Sequence, residues 1–449
     1  MTGDRAADRP DAGSAPGLRL LFLSPVGTIG GAERVLLDVL TGVRTALPEA
    51  SLALLCGGEG PLIAAARDLG VSARAVVLPT AAARLGDSPD ARGGSVSGRG
   101  ARLARFAAAG PAVARAALRW RAAVRAERPD LIHSNGLKTH LLTAAALAGR
   151  PAARRPAVVW AVHDFYSERP LARRALRRAG RRVAALACVS AAVGRDVNSV
   201  LPHALTEVIP NGVDLTRFAP GPGAGSPGGA EDGAALDAAA GLPPAPAGTL
   251  RVGLAATYAR WKGQDVFLEA AARLRARRPE LALRWYVVGG PIYATAAQWE
   301  RGELEALAAR AGVADAVGFV PFQSDMPAVY RGLDVAVHAS VRREPFGLTI
   351  AEAMACGRPV VVAAAGGAAE LFADGVDALG HPPGDAAALA AAVERLADDP
   401  ALRQRLGAAA RRTAETRFDG ARLGRQYGRL YRAVAARGGS FSPPAQRRS

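Results

Sequence analysis

The sequence predicts an α/β protein made of two doubly wound domains that face each other across a cleft. At 449 residues the chain is too long for one ordinary hydrophobic core, so two domains are expected. In both halves, short continuous apolar runs alternate with Ala-rich helical stretches. This pattern is typical of parallel sheets that are covered by helices on both faces. Ligands of such sheets bind at the carboxyl ends of the strands.

Apolar runs of strand length follow one another along both halves of the chain. The first half contains strand candidates at residues 18–24, 52–56, 75–78, 131–134, 157–162, 185–189 and 207–209. The second half contains candidates at residues 250–255, 285–288, 316–319, 335–339 and 360–363. Three helical stretches are expected after about residue 385.

Segments without periodicity separate these elements. Residues 219–249 are dense in Gly, Pro, Ala and Asp, and we expect a flexible linker or insertion there. This segment divides a first domain at 18–218 from a second domain at 250–419. Residues 80–100 are expected to form a loop, and the polar ends, 1–17 and 438–449, are expected to be disordered.

Composition excludes several classes of protein. No apolar run approaches the roughly 18 residues of a membrane span, and the N-terminal residues lack the apolar core of a secretory signal. The three cysteines, Cys56, Cys188 and Cys356, lie far apart in apolar settings. They are typical of core residues in a reducing compartment, so we expect a cytoplasmic protein without disulfides or a metal cluster.

The positive charge is concentrated in the first half. Residues 1–220 carry 30 Lys and Arg against 17 Asp and Glu, or +13 of the net +17. The excess lies in residues 102–128 and 173–182, where Arg recurs at helical spacings. Such helices suit an anionic membrane surface or an acidic acceptor, and a merely solvated Arg face explains them equally well. Nucleic acid is disfavoured because no aromatic residues interleave with the arginines.

The most informative segment is residues 343–360, where Glu344 and Glu352 stand eight positions apart around a short apolar helix. Gly357 and a following proline end this helix. The amides of residues 346–349 form its N-terminus, which is a ready site for phosphate. Because a lone buried carboxylate needs a partner, Glu352 either binds a ribose diol or pairs internally with Arg358.

This segment resembles the E-x7-E signature of glycosyltransferase family 4, the group 1 retaining transferases with the GT-B fold. The order of other motifs supports the resemblance, which covers about residues 18–432. They are the Gly-Gly-Ala-Glu at 30–33, the histidine at 163, Pro-Asn-Gly-Val-Asp at 210–214, Lys-Gly at 262–263 and Gly-Gly-x-x-Glu at 366–370. The resemblance implies a GT-B fold in which a final helix, at 420–437, returns to the first domain.

In the first domain the resemblance implies three groups of site residues. Gly30 and Gly31 would face the donor diphosphate, although a Gly-Gly pair is also a common turn. His163 would lie near the phosphate and the transferred sugar, with Asp164 orienting it. Ser134 and Asn135 would contact the acceptor, or else simply cap the next helix.

In the second domain Lys262 would neutralise the departing diphosphate. Family members carry an arginine five residues earlier, where this chain has Thr257, so Arg260 is the candidate replacement. The backbone at Phe319 and Val320 would contact the base. Glu344 would contact the transferred sugar. The diphosphate would bind the amides of Phe346, Gly347, Leu348 and Thr349.

Together these residues imply a retaining transferase that moves a sugar from a UDP- or GDP-sugar to the hydroxyl of a glycan, a glycolipid or a secondary metabolite. No Asp-x-Asp motif stands in a suitable place, so no obligatory metal or other cofactor is expected. The alternatives are a UDP-sugar epimerase of related fold, an inverting transferase with His163 as base, and a non-catalytic membrane-surface protein. The transferase would be cytoplasmic and would lie at the inner face of the membrane if its basic helices bind there.

Overall fold

The computed structural model describes residues 17–78, 114–151, 154–221, 230–292 and 296–437. Their strands form two sheets, and every pair of neighbouring strands is parallel. The first sheet has seven strands in the order β3-β2-β1-β4-β5-β6-β7, and the second has six in the order β10-β9-β8-β11-β12-β13. Helices cover both sheets, which confirms the predicted pair of doubly wound folds.

The strands of the first sheet are β1 (Arg19–Ser24), β2 (Ser51–Cys56), β3 (Ser72–Ala75), β4 (Leu131–Asn135), β5 (Ala157–Val162), β6 (Ala185–Cys188) and β7 (Thr206–Val208). Those of the second sheet are β8 (Leu250–Ala255), β9 (Leu283–Val288), β10 (Val317–Val320), β11 (Val335–His338), β12 (Val360–Ala363) and β13 (Leu379–His381).

The helices of the first half are α1 (Gly31–Ala46), α2 (Pro61–Asp68), α3 (114–127), α4 (Leu137–Ala146), α5 (Pro170–Gly180) and α6 (Ala191–Val200). Those of the second half are α7 (Ala230–Ala239), α8 (Gln264–Arg277), α9 (Arg301–Arg310), α10 (Met326–Gly332), α11 (Leu348–Ala355), α12 (Ala386–Asp398), α13 (Pro400–Thr413) and α14 (Ala421–Ala436). Within the described ranges, no helix combines the length and the apolarity needed to cross a bilayer.

Two strand predictions are wrong for identifiable reasons. The predicted strand at 75–78 lies three residues too late, because β3 pairs with β2 from Ser72 and only Ala73 of its four residues is buried. The apolar run that attracted the prediction continues past the end of the sheet. The sequence analysis also missed β13, a three-residue edge strand whose central residue is Gly380.

A flexible linker or insertion was expected at 219–249. The structure instead has helix α7 in this segment, and the helix packs on α10. Asp237 of this helix is 1% exposed. Its carboxylate accepts hydrogen bonds from Arg251 at 2.9 Å, from Arg284 at 2.9 Å and from the hydroxyl of Tyr286. Because these donors lie on β8 and β9, the helix is anchored to the second sheet. Residues 222–229 lie outside the described ranges, as do the predicted loop at 80–100 and the ends at 1–16 and 438–449.

Both sheets change winding direction beside their first strand, between β1 and β4 and between β8 and β11. Crevices that bind ligands form at the carboxyl ends of strands at such points. The predicted site residues lie at the carboxyl ends of β4 and β10 and after β1, β5, β8 and β11, so the topology brings them to the two crevices.

The last helix, α14, packs against α1 and completes the core of the first domain. The two helices approach at Gly42 and Gly424, where a Cβ atom added to Gly42 would lie 2.6 Å from the amide nitrogen of Gly424. Further along, the hydroxyl of Tyr431 is hydrogen-bonded to His133 Nδ1 at 2.7 Å. The C-terminal helix is therefore an integral part of the first domain.

A single methyl group should test this contact. Gly424→Ala places its Cβ against the backbone of Gly42, so we expect a loss of about 1–3 kcal/mol in the free energy of unfolding. Gly428→Ala is the matched control, since its Cβ would meet Ala46 at an ordinary 3.4 Å and alanine favours the helix. The measurement is thermal unfolding of the two variants. Equal falls in their unfolding midpoints would contradict the close contact between Gly42 and Gly424.

Candidate active site

Glu344 is the centre of a buried polar cluster in the loop between β11 and α11. One of its oxygens, Oε2, accepts hydrogen bonds from Lys262 Nζ at 2.7 Å and from Ser340 Oγ at 3.0 Å. His338 Nε2 lies 3.3 Å from the same oxygen. The side chains of Lys262 and Glu344 are 20% and 10% exposed. This ion pair joins the loop after β8 to the loop after β11.

Glu344 is held as a carboxylate. Burial raises its pKa, but the Lys262 ammonium and the hydrogen bonds from His338 and Lys262 outweigh burial and hold the pKa far below its usual range. An ionised carboxylate only accepts hydrogen bonds, and its second oxygen remains an acceptor on the same group.

The position of Lys262 depends on a left-handed glycine. Lys262 ends a short helical turn after β8, and Gly263 follows with φ of 76°. A Cβ atom on Gly263 would collide with the carbonyl oxygen of Ala339, so glycine allows this loop to lie against β11. The Trp261 carbonyl accepts a hydrogen bond from the Val341 amide at 2.9 Å.

Helix α11 begins after Gly347, whose φ is 103°. The first amides of a helix have no partner within it, so the N-terminus of α11 presents donors next to the Lys262–Glu344 pair. Glu352 lies one turn along this helix and is 7% exposed. Its Oε2 accepts a hydrogen bond from the Tyr330 hydroxyl at 2.9 Å. Burial raises the pKa of Glu352, while the Tyr330 hydrogen bond and the charge of Arg34 oppose this shift.

The internal partner of Glu352 is thus Tyr330 and not Arg358. The Arg358 guanidinium instead donates to the Leu333 carbonyl at 3.1 Å. A single hydrogen bond from Tyr330 leaves further acceptor capacity on the Glu352 carboxylate.

His163 lies after β5, and its Nε2 is 2.7 Å from Oδ1 of Asn135, the last residue of β4. Burial lowers the pKa of His163 to about 4, so the ring is neutral at physiological pH. Because an amide oxygen only accepts, Nε2 carries the hydrogen and Nδ1 is left as an acceptor. Asn135 therefore orients His163. The expected role of Asp164 is corrected, because its carboxylate pairs with Arg169 at 2.6 Å.

Ser134 is fully buried, and its hydroxyl is hydrogen-bonded to Thr139 Oγ1 at 3.0 Å and to His140 Nδ1 at 2.7 Å. This places Ser134 in the core, which corrects the expectation of a contact with the acceptor. Its neighbour Asn135 is 2% exposed and acts through His163.

The Gly-Gly loop of the first domain meets α11 of the second. Gly31 opens α1, and a Cβ atom there would lie 3.7 Å from Leu348. The Gly30 amide donates to Glu33 at 3.2 Å, which holds the turn. The structure therefore brings Gly31 near Leu348, the first residue of α11, and the diphosphate contact of Gly30 and Gly31 stays a prediction.

Arg260 has partners of its own in the described residues. Its guanidinium pairs with Glu303 at 2.8 Å and lies 3.7 Å above the centre of the Trp299 ring. Among the contacts of Arg260 in the described residues none involves Lys262, and its expected role at the diphosphate stays a prediction. Phe319 and Val320 end β10 at the same sheet edge as the site, and their side chains are buried.

The sequence analysis missed the contacts that join the domains beside the site. The Glu370 carboxylate accepts hydrogen bonds from the amides of Ala191 and Ala192, at the N-terminus of α6, at 2.8 and 2.6 Å. Arg343 pairs with Glu168 at 2.7 Å. The Gly-Gly-x-x-Glu stretch was part of the resemblance, but no local pattern identified its partner in the first domain.

Comparisons with known proteins agree with this geometry. A family model described as glycosyl transferases group 1 matches residues 245–413, and one described as glycosyltransferase family 4 matches residues 29–217. The D-inositol 3-phosphate glycosyltransferase 2 of Catenulispora acidiphila is 43% identical over 196 residues, which are 42% of each chain. The D-inositol 3-phosphate glycosyltransferase of Stackebrandtia nassauensis is 40% identical over 212 residues, 45% of this chain and 43% of that protein. The chain thus spans less than half the length of these relatives.

Solved structures match over nearly the whole chain. The crystal structure of Anabaena Alr3699/HepE in complex with UDP-glucose has a TM-score of 0.72 and 25% identity, and it covers 93% of this chain and 100% of its own. The complex of the same protein with UDP and glucose has a TM-score of 0.71 and 26% identity, with the same coverage. Sucrose-phosphate synthase from Thermosynechococcus elongatus has a TM-score of 0.70 at 20% identity and supports the fold.

The ion pair predicts a pH-dependent loss of stability. Lys262→Met leaves the buried Glu344 carboxylate without its cation, so we expect a loss of about 3 kcal/mol near neutral pH. In the variant, burial then dominates and raises the pKa of Glu344. The variant's free energy of unfolding therefore falls as pH rises, and its deficit relative to the unmodified protein should shrink near pH ~4. Denaturant unfolding at neutral pH and at pH ~4 measures this deficit. Adding Glu344→Gln should remove most of the deficit and its pH dependence, and an unchanged deficit in the double variant would contradict this account.

Proposed function

The chain belongs to the group 1 glycosyltransferases of family 4, and on this premise we propose that it transfers a sugar from a nucleoside diphosphate sugar to a hydroxyl acceptor with retention of configuration. The observation that carries the proposal is the Lys262–Glu344 pair in the loop that leads into α11, with Glu352 one turn along that helix. This spacing matches a diphosphate followed by a ribose.

The diphosphate would bind where positive electrostatic potential converges. Lys262 contributes a full charge, and the amides of residues 346–349 contribute the partial positive charge of a helix N-terminus. Negative charge grows on the diphosphate as the bond to the sugar breaks. Groups that are already in place therefore stabilise the leaving diphosphate more than the bound donor, which lowers the barrier.

The ribose hydroxyls would donate to Glu352. Tyr330 holds Oε2 of this carboxylate at 2.9 Å and fixes its orientation. A vicinal diol offers two donors to the remaining acceptor positions. The buried carboxylate is shielded from water, so the diol would supply the hydrogen-bond partners that it otherwise lacks.

Retention is favoured by the chemistry of His163. An inverting transfer needs a general base on the face opposite the leaving group, and a pKa lowered to about 4 makes His163 a weak base at neutral pH. In a front-face transfer the acceptor oxygen bonds to the anomeric carbon, and the bond to the diphosphate breaks on the same face. The acceptor proton passes to the departing phosphate oxygen. Nδ1 of His163 would accept a hydrogen bond from the sugar, and Glu344 would hold another sugar hydroxyl.

A UDP-sugar is the first donor to test, because the Anabaena protein of similar structure binds UDP and UDP-glucose. We expect no obligatory divalent ion, since Lys262 and the helix amides supply the positive charge. The exposed arginines of α5 would place the protein at an anionic membrane surface, where a glycolipid acceptor would be within reach. A UDP-sugar epimerase is the alternative activity, and it would form a new sugar nucleotide without any acceptor.

Calorimetric titration with UDP and GDP, each with and without EDTA, tests the donor site. We expect UDP to bind with micromolar affinity that EDTA does not change. Binding that disappears with EDTA would contradict the metal-independent site. If neither nucleotide bound, the proposed donor site would be wrong.

A second titration tests the ribose contact. Glu352→Gln removes a charged acceptor, so we expect the dissociation constant for the bound nucleotide to rise about tenfold or more. Glu269→Gln is the control, because Glu269 pairs with Arg273 on the exposed face of α8. Equal affinities of the two variants, both with unchanged thermal midpoints, would show that Glu352 does not bind the ribose.

A further inference from the structure

A cavity of about 440 Å³ opens at the back of the first domain. It lies at the amino ends of β5 and β6, so it is at the opposite edge of the sheet from the cleft. Helix α4 and the carboxyl ends of α5 and α6 form its walls. Its volume is within the range of small-molecule sites in proteins.

The rim of the cavity is strongly positive. Arg155, Arg177, Arg181 and Arg182 line it, and no acidic residue does. None of these four arginines pairs with an acidic side chain within the described ranges. Three helix carboxyl ends oppose them with about half a negative charge each. Four guanidinium charges exceed this opposition, so the rim keeps a net positive charge of about two to three.

The interior of the cavity offers an unused acceptor. His140 is fully buried, its ring is stacked on Trp160 with centroids 4.3 Å apart, and its Nε2 has no hydrogen-bond partner among the described residues. Thr139 donates to the Gly136 carbonyl and Ser134 donates to Thr139, so the hydrogen between Ser134 and His140 belongs to Nδ1. This leaves Nε2 as an acceptor. Such an unpaired buried atom is uncommon in native proteins.

The buried Nε of Arg155 also lacks a partner within the described residues. A ligand with oxygen acceptors would satisfy this donor, and a ligand hydroxyl would satisfy His140 Nε2. Trp160, Leu147 and Leu201 provide apolar surface between the two.

We propose that this cavity binds a phosphorylated polyol, with its phosphate among the rim arginines and a hydroxyl donating to His140. Guanidinium groups match phosphate oxygens in charge and in geometry. The same chemistry occurs in a soluble polyol phosphate and in the headgroup of a glycerol phospholipid. The proposal does not rest on the transferase activity, because the cavity and the cleft lie at opposite sheet edges.

Helix α5 and the two residues that follow it provide a matched pair of triple variants. Arg177→Gln/Arg181→Gln/Arg182→Gln removes three arginines that line the cavity. Arg173→Gln/Arg174→Gln/Arg178→Gln removes the same charge from the same helix, at positions that do not line it. Titration calorimetry with sn-glycerol 3-phosphate and with inorganic phosphate measures soluble ligands. Flotation with phosphatidylcholine vesicles, with and without phosphatidylglycerol, measures the lipid headgroup.

We expect the unmodified protein and the outer triple variant to bind glycerol 3-phosphate or phosphatidylglycerol vesicles alike, and the lining triple variant to bind about tenfold or more weakly. Binding of the soluble probe identifies a metabolite, and binding of the vesicles alone identifies a lipid headgroup. Equal weakening of probe binding in both triple variants would show that general surface charge is responsible for binding, and it would overturn the proposal. It is also overturned if the unmodified protein binds none of the probes, or binds inorganic phosphate as tightly as glycerol 3-phosphate.

Discussion

The buried ion pair between Lys262 and Glu344 is the contact on which the rest of the site depends. It joins two loops that leave neighbouring strands, and Glu344 lies three residues before Gly347, the N-cap of α11. Burying two charges costs desolvation that their attraction does not reliably recover, so such a pair is poor evidence of stabilisation by itself. Its effect here is placement, because it holds the loop after β8 against the loop that leads into α11.

The two domains meet through groups of complementary charge around that pair. Glu370 of the second domain caps α6 of the first, where the helix dipole favours a carboxylate. Arg343, adjacent to Glu344 in sequence, pairs with Glu168. These contacts are polar and partly exposed, so each is weak enough to open and close. The site is therefore connected to the relative position of the domains through residues that flank it in sequence.

Much of the fold was predictable, because strands of a parallel sheet that are buried on both faces are continuous apolar runs. The central strands were all located. Edge strand β13 and helix α7 were not, because one is short and glycine-containing and the other is held by Asp237, whose partners are distant in sequence. The site residues of α11 were predictable because they share one helix. Tyr330 was not, because only folding brings it to Glu352. Ser134 was misplaced because a residue type near a strand end does not reveal which way its side chain turns.

The docking of α14 on α1 has a consequence for biosynthesis. Leu423, Tyr427 and Tyr431 belong to the hydrophobic core that β1 and α1 begin to build about four hundred residues earlier. The ribosome synthesises this chain from its N-terminus. The apolar groove of the first domain therefore stays open while the second domain emerges and folds. Only the last helix closes that groove. Nascent chains that stall before α14 would expose it, which makes them natural clients of chaperones and of degradation.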